Sequence, residues 1–412
     1  MVIIKILGVI AEYNPFHNGH LYHLNEAKRL SGRSRAIAVM SGNFVQRGEP
    51  ALCDKWRRAR MALWHGADVV LELPVCFAAA GTDYFAGAAV KILHASGMVD
   101  RLCFGSESND LNAIVKAGEI LAEEPPAYSK ALKEYLGNGM SFAAARGLAL
   151  AAADFELPEG LLTGANDTLG IEYCKTLTRL NSDIVPLTVK RTGSSGASGS
   201  EAFPAAHVSA KKIREAVFSG RTDETKNAMP PAAFEMLREA YEQNECARLD
   251  DFTGIFQYLL RITPPEQLRR AADMTEGLEN RFRSRCASHT LAGRATLTEL
   301  LAAVKTKRYT LTRLQRAALH VILGIDEIPA DIPYIRVLGF RRESAFLVGE
   351  LTKHAALPVI VNLKHARNMP DEKAMTMLRN EITASDIYAL AYGKGSAPRE
   401  IGYEYSMPLV IV

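Results

Sequence analysis

Residues 3–20 read IIKILGVIAEYNPFHNGH, an apolar run that passes through a short loop into two closely spaced histidines. The near-continuous apolar run Ile3–Ala11 predicts a strand buried on both faces of a sheet, because half-buried strands alternate apolar and polar residues instead. Apolar residues at helical spacing follow and predict a helix over 19–30. A strand, a loop and a helix in this order are the opening unit of an α/β fold.

The same alternation continues through the first hundred residues. Strand-like and helical patterns take turns at Arg35–Met40, Asp54–Trp64, Val69–Leu73, Thr82–Ser96 and Val99–Phe104. Asp54 is expected to cap the helix that it opens. Strands joined by helices at this spacing predict a parallel sheet with crossover helices. Because such sheets bind ligands at the carboxyl ends of their strands, the candidate ligand loops are Glu12–His20, Ser41–Pro50 and Gly105–Asn109.

The length of 412 residues favours two or three domains, at roughly 150 residues each. We expect an α/β catalytic domain over residues 1–225 and a mainly α-helical domain over 226–412, where helical spacing dominates. Two β-type runs, Pro358–Leu363 and Pro408–Val412, interrupt the second part. By composition, Thr192–Ser200 is a solvated connection or a lid.

Composition excludes several classes of protein. Apolar residues make up 48% of the chain, enough for a large buried core, and 23% charged residues in a mixed pattern exclude wholesale disorder. No stretch approaches the ~20 apolar residues of a membrane span. The net charge of +3 decides nothing about partners, so any electrostatic argument must come from local clusters.

The cysteines and the N-terminus point to one compartment. The six cysteines include no Cys-x-x-Cys pair, which argues against a disulfide framework and a zinc ribbon. Reduced thiols are typical of an intracellular protein. The N-terminus lacks the basic, apolar and small-residue segments of a secretory signal. We therefore expect a cytoplasmic protein with no membrane partner.

His17, Gly19 and His20 carry the strongest chemical signal. Two imidazoles three residues apart share one face of a first helical turn, and the glycine lets a bulky group approach the backbone. The N–H groups and dipole of a helix N-terminus attract phosphate. Imidazole donors there would stabilise the charge that grows on an attacked α-phosphate, which is the chemistry of nucleotidyl transfer. A metal-binding pair and a structural pair of histidines are the alternatives. The chain has neither a P-loop nor a G-x-G-x-x-G motif, which disfavours P-loop and standard dinucleotide chemistry.

A second candidate segment lies at 208–214. Ser209 is the expected N-cap of a helix whose first turns hold Lys211, Lys212 and Arg214. Cations at a helix N-terminus oppose the dipole unless an anion lies nearby. Ser209, Lys212 and Arg214 are therefore possible phosphate contacts, and a solvated basic helix is the alternative.

Five separated motifs carry a resemblance to a known family. They are EYNPFHNGH at 12–20, MSGNFVQRGEP at 40–50, FGSE at 104–107, TGAND at 163–167 and TKRYT at 306–310. In this order, and on to Ala384–Leu390, they resemble the tRNA(Met) cytidine acetate ligase family of the HxGH-type nucleotidyltransferase superfamily. The resemblance implies a Rossmann-like parallel-sheet domain followed by a largely helical one.

The resemblance also implies an activity. That family forms acetyl-adenylate from acetate and ATP, and then acetylates N4 of the wobble cytidine of elongator tRNA(Met) to give N4-acetylcytidine. It implies that His17 and His20 are catalytic and that ATP is a substrate, and it implies no stable protein partner. We further expect Mg²⁺ to neutralise the leaving pyrophosphate. The ATP-binding positions that it implies are Ile10, Ala11, Glu12, Tyr13, Asn14, Pro15, Phe16, His17, Asn18, Gly19, His20, Leu21, Tyr22, His23, Gly105, Asn166 and Arg191. Lys211 stands where the superfamily often has threonine, so one expected hydroxyl contact to phosphate is missing.

A basic segment could supply the RNA side. Residues 261–316 hold twelve Lys or Arg and five Asp or Glu. Phosphate contacts from such a cluster would give salt-sensitive affinity, and unstacked bases can be bound on aromatic or arginine planes. The possible tRNA contacts are Arg281, Arg283, Arg285, Lys305, Lys307, Arg308 and Arg313. A solvated helix face is the alternative.

Two other functions remain open at this stage. One is an adenylyl- or cytidylyltransferase acting on a small phosphorylated metabolite, which would not require the long basic C-terminal half. The other is a nucleotide-regulated RNA-binding protein without catalysis, which the intact His17, Gly19 and His20 disfavour.

Overall fold

The computed structural model describes residues 5–140, 142–153, 155–191, 208–286, 295–306, 308–369 and 371–412. Thr192–Ser200, Lys307 and the first residues of the predicted opening strand, Ile3 and Ile4, lie outside these ranges. The strands are β1 (Ile6–Ala11), β2 (Ala36–Ser41), β3 (Phe44–Val45), β4 (Glu49–Pro50), β5 (Val69–Leu73), β6 (Val99–Ser106), β7 (Val185–Lys190), β8 (Ile335–Phe340), β9 (Val359–Ile360) and β10 (Val410–Ile411).

Helices connect and cover these strands. The helices of the first 225 residues are α1 (Asn18–Ser31), α2 (Lys55–Trp64), α3 (Val75–Ala78), α4 (Thr82–Ala95), α5 (Leu111–Glu123), α6 (Pro126–Gly137), α7 (Phe142–Ala151), α8 (Ala165–Arg179) and α9 (Ala210–Phe218). The later helices are α10 (Pro231–Glu242), α11 (Thr253–Ile262), α12 (Pro265–Leu268), α13 (Leu278–Cys286), α14 (Leu297–Val304), α15 (Leu311–Leu323), α16 (Ala345–His354) and α17 (Glu372–Ala389). Two predicted caps are confirmed, since the Asp54 side chain accepts from Arg57 N and that of Ser209 from Lys212 N.

The main sheet has the order β10-β8-β5-β2-β1-β6-β7, and β9 pairs with β8. The run from β5 to β7 is parallel, as predicted. The chain leaves β1 towards β2 and β5 and then returns to β6 on the other side of β1. A crevice therefore opens at the carboxyl ends of β1 and β6, where such sheets bind ligands. The α/β, Rossmann-like fold class is confirmed.

Residues beyond 225 complete this sheet. β8 runs antiparallel to β5, with Val69 opposite Phe340, and carries β10 and β9 on its other side. The two predicted C-terminal β-type runs contain β9 and β10. One apolar core joins Ile37 of β2 to Leu314 of α15 and Tyr388 of α17. The boundary at 225 stays a prediction, but the catalytic sheet is not confined to residues 1–225.

Five ionisable side chains from both parts of the chain meet inside the fold. Lys55 Nζ lies 2.6 Å from Glu72 and 2.5 Å from Glu404. Arg336 pairs with both carboxylates, at 2.7 Å from Glu72. Burial and the neighbouring Glu72 raise the pKa of Glu381, the fifth member, well above its usual range. With Glu381 protonated, two cations face two carboxylates and the cluster is neutral.

Candidate active site

The predicted nucleotide segment lies at the carboxyl end of β1. Ile10 and Ala11 end the strand, residues 12–17 form the loop, and Asn18 opens α1. Arg58 of α2 donates to Glu12 O at 2.6 Å, and Leu52 N donates to the side chain of Asn14 at 2.7 Å. The loop is thus tied to its neighbours through backbone groups that the sequence pattern does not reveal.

His17 and His20 cap helix α1 reciprocally. His17 is the N-cap, and its Nδ1 accepts from Gly19 N at 3.0 Å. In return, His17 N donates to Nδ1 of His20 at 3.2 Å. The two rings stack with centroids 3.8 Å apart. A capping box usually pairs Ser or Thr with Glu or Gln, and here two imidazoles do the same work.

This geometry decides the tautomer of both rings. Because each Nδ1 accepts a hydrogen bond, the proton of each neutral imidazole is on Nε2. Burial and the charge of Arg191 lower the pKa of His17 to about 4. Burial, His17, His23 and Arg191 lower the pKa of His20 well below its usual range. At neutral pH the pair therefore presents two uncharged Nε2–H donors side by side at a helix N-terminus, an arrangement suited to phosphate oxygens.

Gly19 is required by a close approach. A Cβ at this position would lie 2.8 Å from Cε1 of the His17 ring and 3.0 Å from its Nδ1. Any larger residue would therefore push the capping imidazole away. Aromatic rings of the same loop pack around the histidine pair. The Tyr13 ring packs edge-on to the His20 ring, with centroids 5.0 Å apart, and the Phe16 ring stacks on the His65 ring, with centroids 5.2 Å apart.

Gly105, Asn166 and Arg191 meet beside this motif. Gly105 lies near the end of β6, opposite Val189 of β7. Arg191 follows β7, donates its backbone N–H to Ser106 O at 2.9 Å, and lays its side chain along Gly105, where a Cβ would lie 3.3 Å from Arg191 Cγ. Its Nη1 donates to Oδ1 of Asn166 at 3.3 Å. The structure therefore brings together the nucleotide positions that the resemblance implied.

Sequence reasoning assigned no role to Glu107 and Asp167, which lock this corner. The Glu107 carboxylate accepts from the backbone and side chain of Asn166 and from Asp167 N. Asp167 in turn accepts from Ser106 Oγ, Glu107 N and Ser108 N. The available signal was a carboxylate placed directly after a strand and an Asn-Asp pair opening a helix, both of which are capping patterns.

Several known proteins are similar to this chain over nearly its whole length. The family model of the HIGH nucleotidyl transferases matches residues 4–400. The chain is 39% identical to the tRNA(Met) cytidine acetate ligase of Acetivibrio thermocellus over 99% of its own length and all of that protein. It is 42% identical to the ligase of the same name from a Thermoanaerobacter species, over 98% of this chain and 99% of the relative. The crystal structure of Thermotoga maritima TmcAL bound with alpha-thio ATP superposes with a TM-score of 0.90 at 32% identity, over 99% and 100% of the two chains.

The chain belongs to the tRNA(Met) cytidine acetate ligase family.

The hairpin formed by β3 and β4 lies beside the loop that carries the nucleotide motif. Gln46 N donates to the Glu12 carboxylate at 3.0 Å, and Gln46 Nε2 donates to Ala80 O at 3.3 Å. Gly48 has φ +76° and packs on the backbone of α15, where a Cβ would lie 2.4 Å from Arg316 N. Glu49 accepts from Gln315 of α15 at 2.8 Å. The hairpin therefore joins the nucleotide motif to the helical half.

The candidate phosphate contacts differ in availability. Arg214 Nη1 donates to Asn14 O at 2.9 Å, and its Nη2 lies 3.7 Å from Glu49. It therefore braces the loop that carries the histidines. Ser209 uses its hydroxyl as the N-cap of α9, while the side chain of Lys212 is exposed.

The basic candidates of the RNA side fall into two groups. Arg281 donates to Val304 O at 2.7 Å, Arg283 donates to Thr263 O at 2.9 Å, and Arg313 donates to Thr275 Oγ1 at 2.5 Å, so these three hold the helices together. The exposed members are Arg285, Lys305 and Arg308, the last paired with Glu276 at 3.0 Å. Lys307 lies outside the described residues.

The described residues contain neither a candidate metal cluster nor a candidate membrane span. No three His, Cys, Asp or Glu side chains there gather into a group that could hold a metal ion. None of the described helices is long and apolar enough to cross a membrane.

Proposed function

We propose that this chain is an ATP-dependent acetate ligase that forms acetyl-adenylate and acetylates N4 of the wobble cytidine of elongator tRNA(Met). The observation that carries the proposal is the histidine capping box beside Gly105, Asn166 and Arg191. It supplies the donors that adenylate formation needs, in a chain whose relatives are named for this ligase activity.

The first step is attack of an acetate oxygen on the α-phosphorus of ATP, with pyrophosphate as the leaving group. The two Nε2–H donors of His17 and His20 would bind the α-phosphate oxygens, whose charge increases in the transition state. Arg191 and Asn166 would hold the nucleotide against Gly105. The uncharged state of the imidazoles suits donation without a proton transfer.

The second step is attack of the cytidine N4 on the acetyl carbon. A bond forms between N4 and that carbon, the bond to the AMP oxygen breaks, and N4 loses one proton. Cytosine N4 is a weak nucleophile, so prior activation of the acetyl group is necessary. The exposed Arg285, Lys305 and Arg308 are our first candidates for tRNA phosphate contacts, and Arg281, Arg283, Lys307 and Arg313 are further candidates.

The remaining assignments follow from this reaction. Mg²⁺ would enter as the MgATP complex, because phosphate oxygens and water are its preferred ligands. It would neutralise the charge of the leaving pyrophosphate. The proposal places the protein in the cytoplasm with its tRNA, and needs neither a membrane nor a stable protein partner.

The test follows labelled acetate into an unmodified elongator tRNA(Met) transcript in the presence of ATP and Mg²⁺. We expect label at the wobble cytidine with the wild-type chain, and a loss of about 10²–10³-fold in rate for His20→Ala. His94→Ala is the matched control, because His94 is exposed at the end of α4 and its side chain forms a hydrogen bond with Ser182, away from the nucleotide motif in sequence.

Three outcomes would contradict parts of the proposal. A transcript with uridine at the wobble position that still takes up label would refute the cytidine assignment. Pyrophosphate exchange that needs ATP but not acetate would point to a metabolite nucleotidyltransferase. Equal activity of His20→Ala and His94→Ala would remove the histidine pair from the mechanism.

A further inference from the structure

Glu107 directly follows β6, and its carboxylate accepts four hydrogen-bonding contacts from two consecutive residues, Asn166 and Asp167. Its Oε2 accepts from Asn166 N at 3.1 Å and from Asp167 N at 3.0 Å. Its Oε1 accepts from Asn166 N at 3.3 Å and from Asn166 Nδ2 at 2.5 Å. The backbone contacts cap α8, but the contact to Nδ2 reaches a functional side chain.

This last contact fixes the orientation of the Asn166 amide. An ionised carboxylate can only accept hydrogen bonds, so the Asn166 NH₂ group must face Glu107. The carbonyl Oδ1 then points to the other side, where it accepts from Arg191 Nη1 at 3.3 Å. With the amide turned over, two donors would face each other at Arg191 and the contact would be lost.

Arg191 carries this orientation to the histidines. Its backbone is held by Ser106 O, so its guanidinium is placed by Asn166 and by the wall at Gly105. After burial, the charge of Arg191 is the next cause that lowers the pKa of both His17 and His23. A series of hydrogen bonds therefore runs from Glu107 through Asn166 to Arg191, whose charge acts on His17 and His23.

We propose that Glu107 is a positioning residue, which sets the amide of Asn166 and through it the Arg191 guanidinium over the nucleotide. The inference rests on the proposed function, because it takes ATP as the ligand at Asn166 and Arg191. Asp110, the N-cap of the nearby helix α5, caps through a backbone contact and accepts from Ala113 N at 3.0 Å. The link to a side chain at the site distinguishes Glu107 from such a cap.

The experiment measures KM for ATP and kcat in acetate-dependent ATP–pyrophosphate exchange. Glu107→Gln keeps the size of the side chain but replaces one acceptor oxygen by a donor NH₂, which favours the reversed Asn166 amide. We expect KM for ATP to rise by about tenfold to hundredfold, the range for losing a hydrogen bond to a charged group, while kcat changes less. Asp110→Asn, a carboxylate-to-amide change at a backbone cap, is the matched control and should leave KM unchanged.

A double-mutant cycle separates positioning from general stability. If Glu107 acts through Asn166, adding Glu107→Gln to Asn166→Ala should change KM no further. Effects that multiply in the double variant, or a Glu107→Gln variant as active as Asp110→Asn, would overturn the inference. Gly164→Ala serves if Glu107→Gln fails to fold, because its Cβ would lie 2.8 Å from Glu107 Oε2 and displace the carboxylate without removing it. Gly164→Ala should raise KM for ATP in the wild-type background, but should not raise it further in a chain that already carries Asn166→Ala.

The two proposals can fail separately. A wild-type chain with no acetate-dependent exchange refutes the proposed function. The inference is then tested by the Kd for ATP of the same variants, measured by titration calorimetry. The inference is supported if the wild type binds ATP more tightly than the Glu107→Gln variant and if the effects of Glu107→Gln and Asn166→Ala are non-additive. Equal Kd values for the wild type and the Glu107→Gln variant refute it.

Discussion

Glu404→Gln should strongly destabilise the fold, because Glu404 belongs to the buried charge cluster. Its carboxylate lies between Lys55 and Arg336, both of them buried. Burial by itself would raise the pKa of Glu404, but these two cations outweigh burial and lower it to about 2. The substitution removes one of the two carboxylates that neutralise two buried cations.

The expected magnitude follows from that pKa. A carboxyl whose pKa falls from 4.5 to about 2 gains about 3 kcal/mol on folding, at about 1.4 kcal/mol for each tenfold change in acid constant. Removing one partner from a buried ion pair costs about 3–5 kcal/mol in other proteins. We therefore expect Glu404→Gln to lower the free energy of unfolding by about 3 kcal/mol at pH 7. Because the folded-state pKa is depressed, this contribution is present above pH 4.5 and is lost as the pH falls towards 2.

Glu381→Gln is the matched control with the opposite expectation. Burial and Glu72 raise the pKa of Glu381, so the folded state binds a proton there and loses stability as the pH rises through that pKa. Glutamine imitates the protonated acid and keeps the oxygen that accepts from Val75 N. At pH 8 this variant should be as stable as the wild type or more stable.

Urea unfolding followed by circular dichroism at pH 5, 7 and 8 measures both variants. The double variant should lose more than the sum of the single changes, since Glu381 can no longer ionise to replace the missing charge. If Glu381→Gln lowers the free energy of unfolding at pH 8 by about 2 kcal/mol or more, Glu381 is ionised in the wild type. A loss of that size is typical of a broken hydrogen bond to a charged group, about 1.5–3 kcal/mol. That result would refute the charge balance of the cluster.

Three further predictions concern the site. Gly19→Ala should reduce the rate of pyrophosphate exchange by about tenfold or more and keep a native circular dichroism spectrum, because its Cβ would lie 2.8 Å from Cε1 of the His17 ring. An unchanged rate would show that catalysis does not depend on the position of that ring. Lys305→Ala and Arg308→Ala should each lower the salt dependence of tRNA binding by about one counterion in filter-binding titrations and leave exchange intact. The alternative, a solvated face, predicts no change in slope. The pKa of His17 is about 4 in the folded state, below its value of 6.5 in the unfolded chain. The stability that neutral His17 contributes should therefore fall as the pH drops from 6.5 to 4. The variant His17→Asn should flatten that part of the pH dependence of urea unfolding.

Contacts between near neighbours in sequence were predictable. The strand at Val69–Leu73 has the predicted bounds, and the Asp54 and Ser209 caps bond within three residues. The histidine motif is equally local, because its two caps join residues two and three apart. Such contacts depend on backbone geometry that a short sequence determines.

Contacts between distant segments were not predictable from pattern alone. β8 reads as a short apolar run, and nothing local indicates that it pairs antiparallel with β5. Glu107 and Asn166 are 59 residues apart and meet only because β6 ends beside the start of α8. The motif resemblance supplied the proposed nucleotide-binding roles of Asn166 and Arg191, which composition and periodicity could not.

The same long-range contacts bear on where the chain can be divided. A chain that ended at residue 225 would lack β8, leaving β5 as an unpaired sheet edge. Lys55 and Glu72 would lose Arg336 and Glu404 and keep only each other in an apolar interior. The hairpin would lose the α15 backbone on which Gly48 packs and the Gln315 side chain that holds Glu49. Because this hairpin also holds Glu12 through Gln46, the geometry of the nucleotide motif depends on residues that the sequence pattern assigns to the second, mainly α-helical domain.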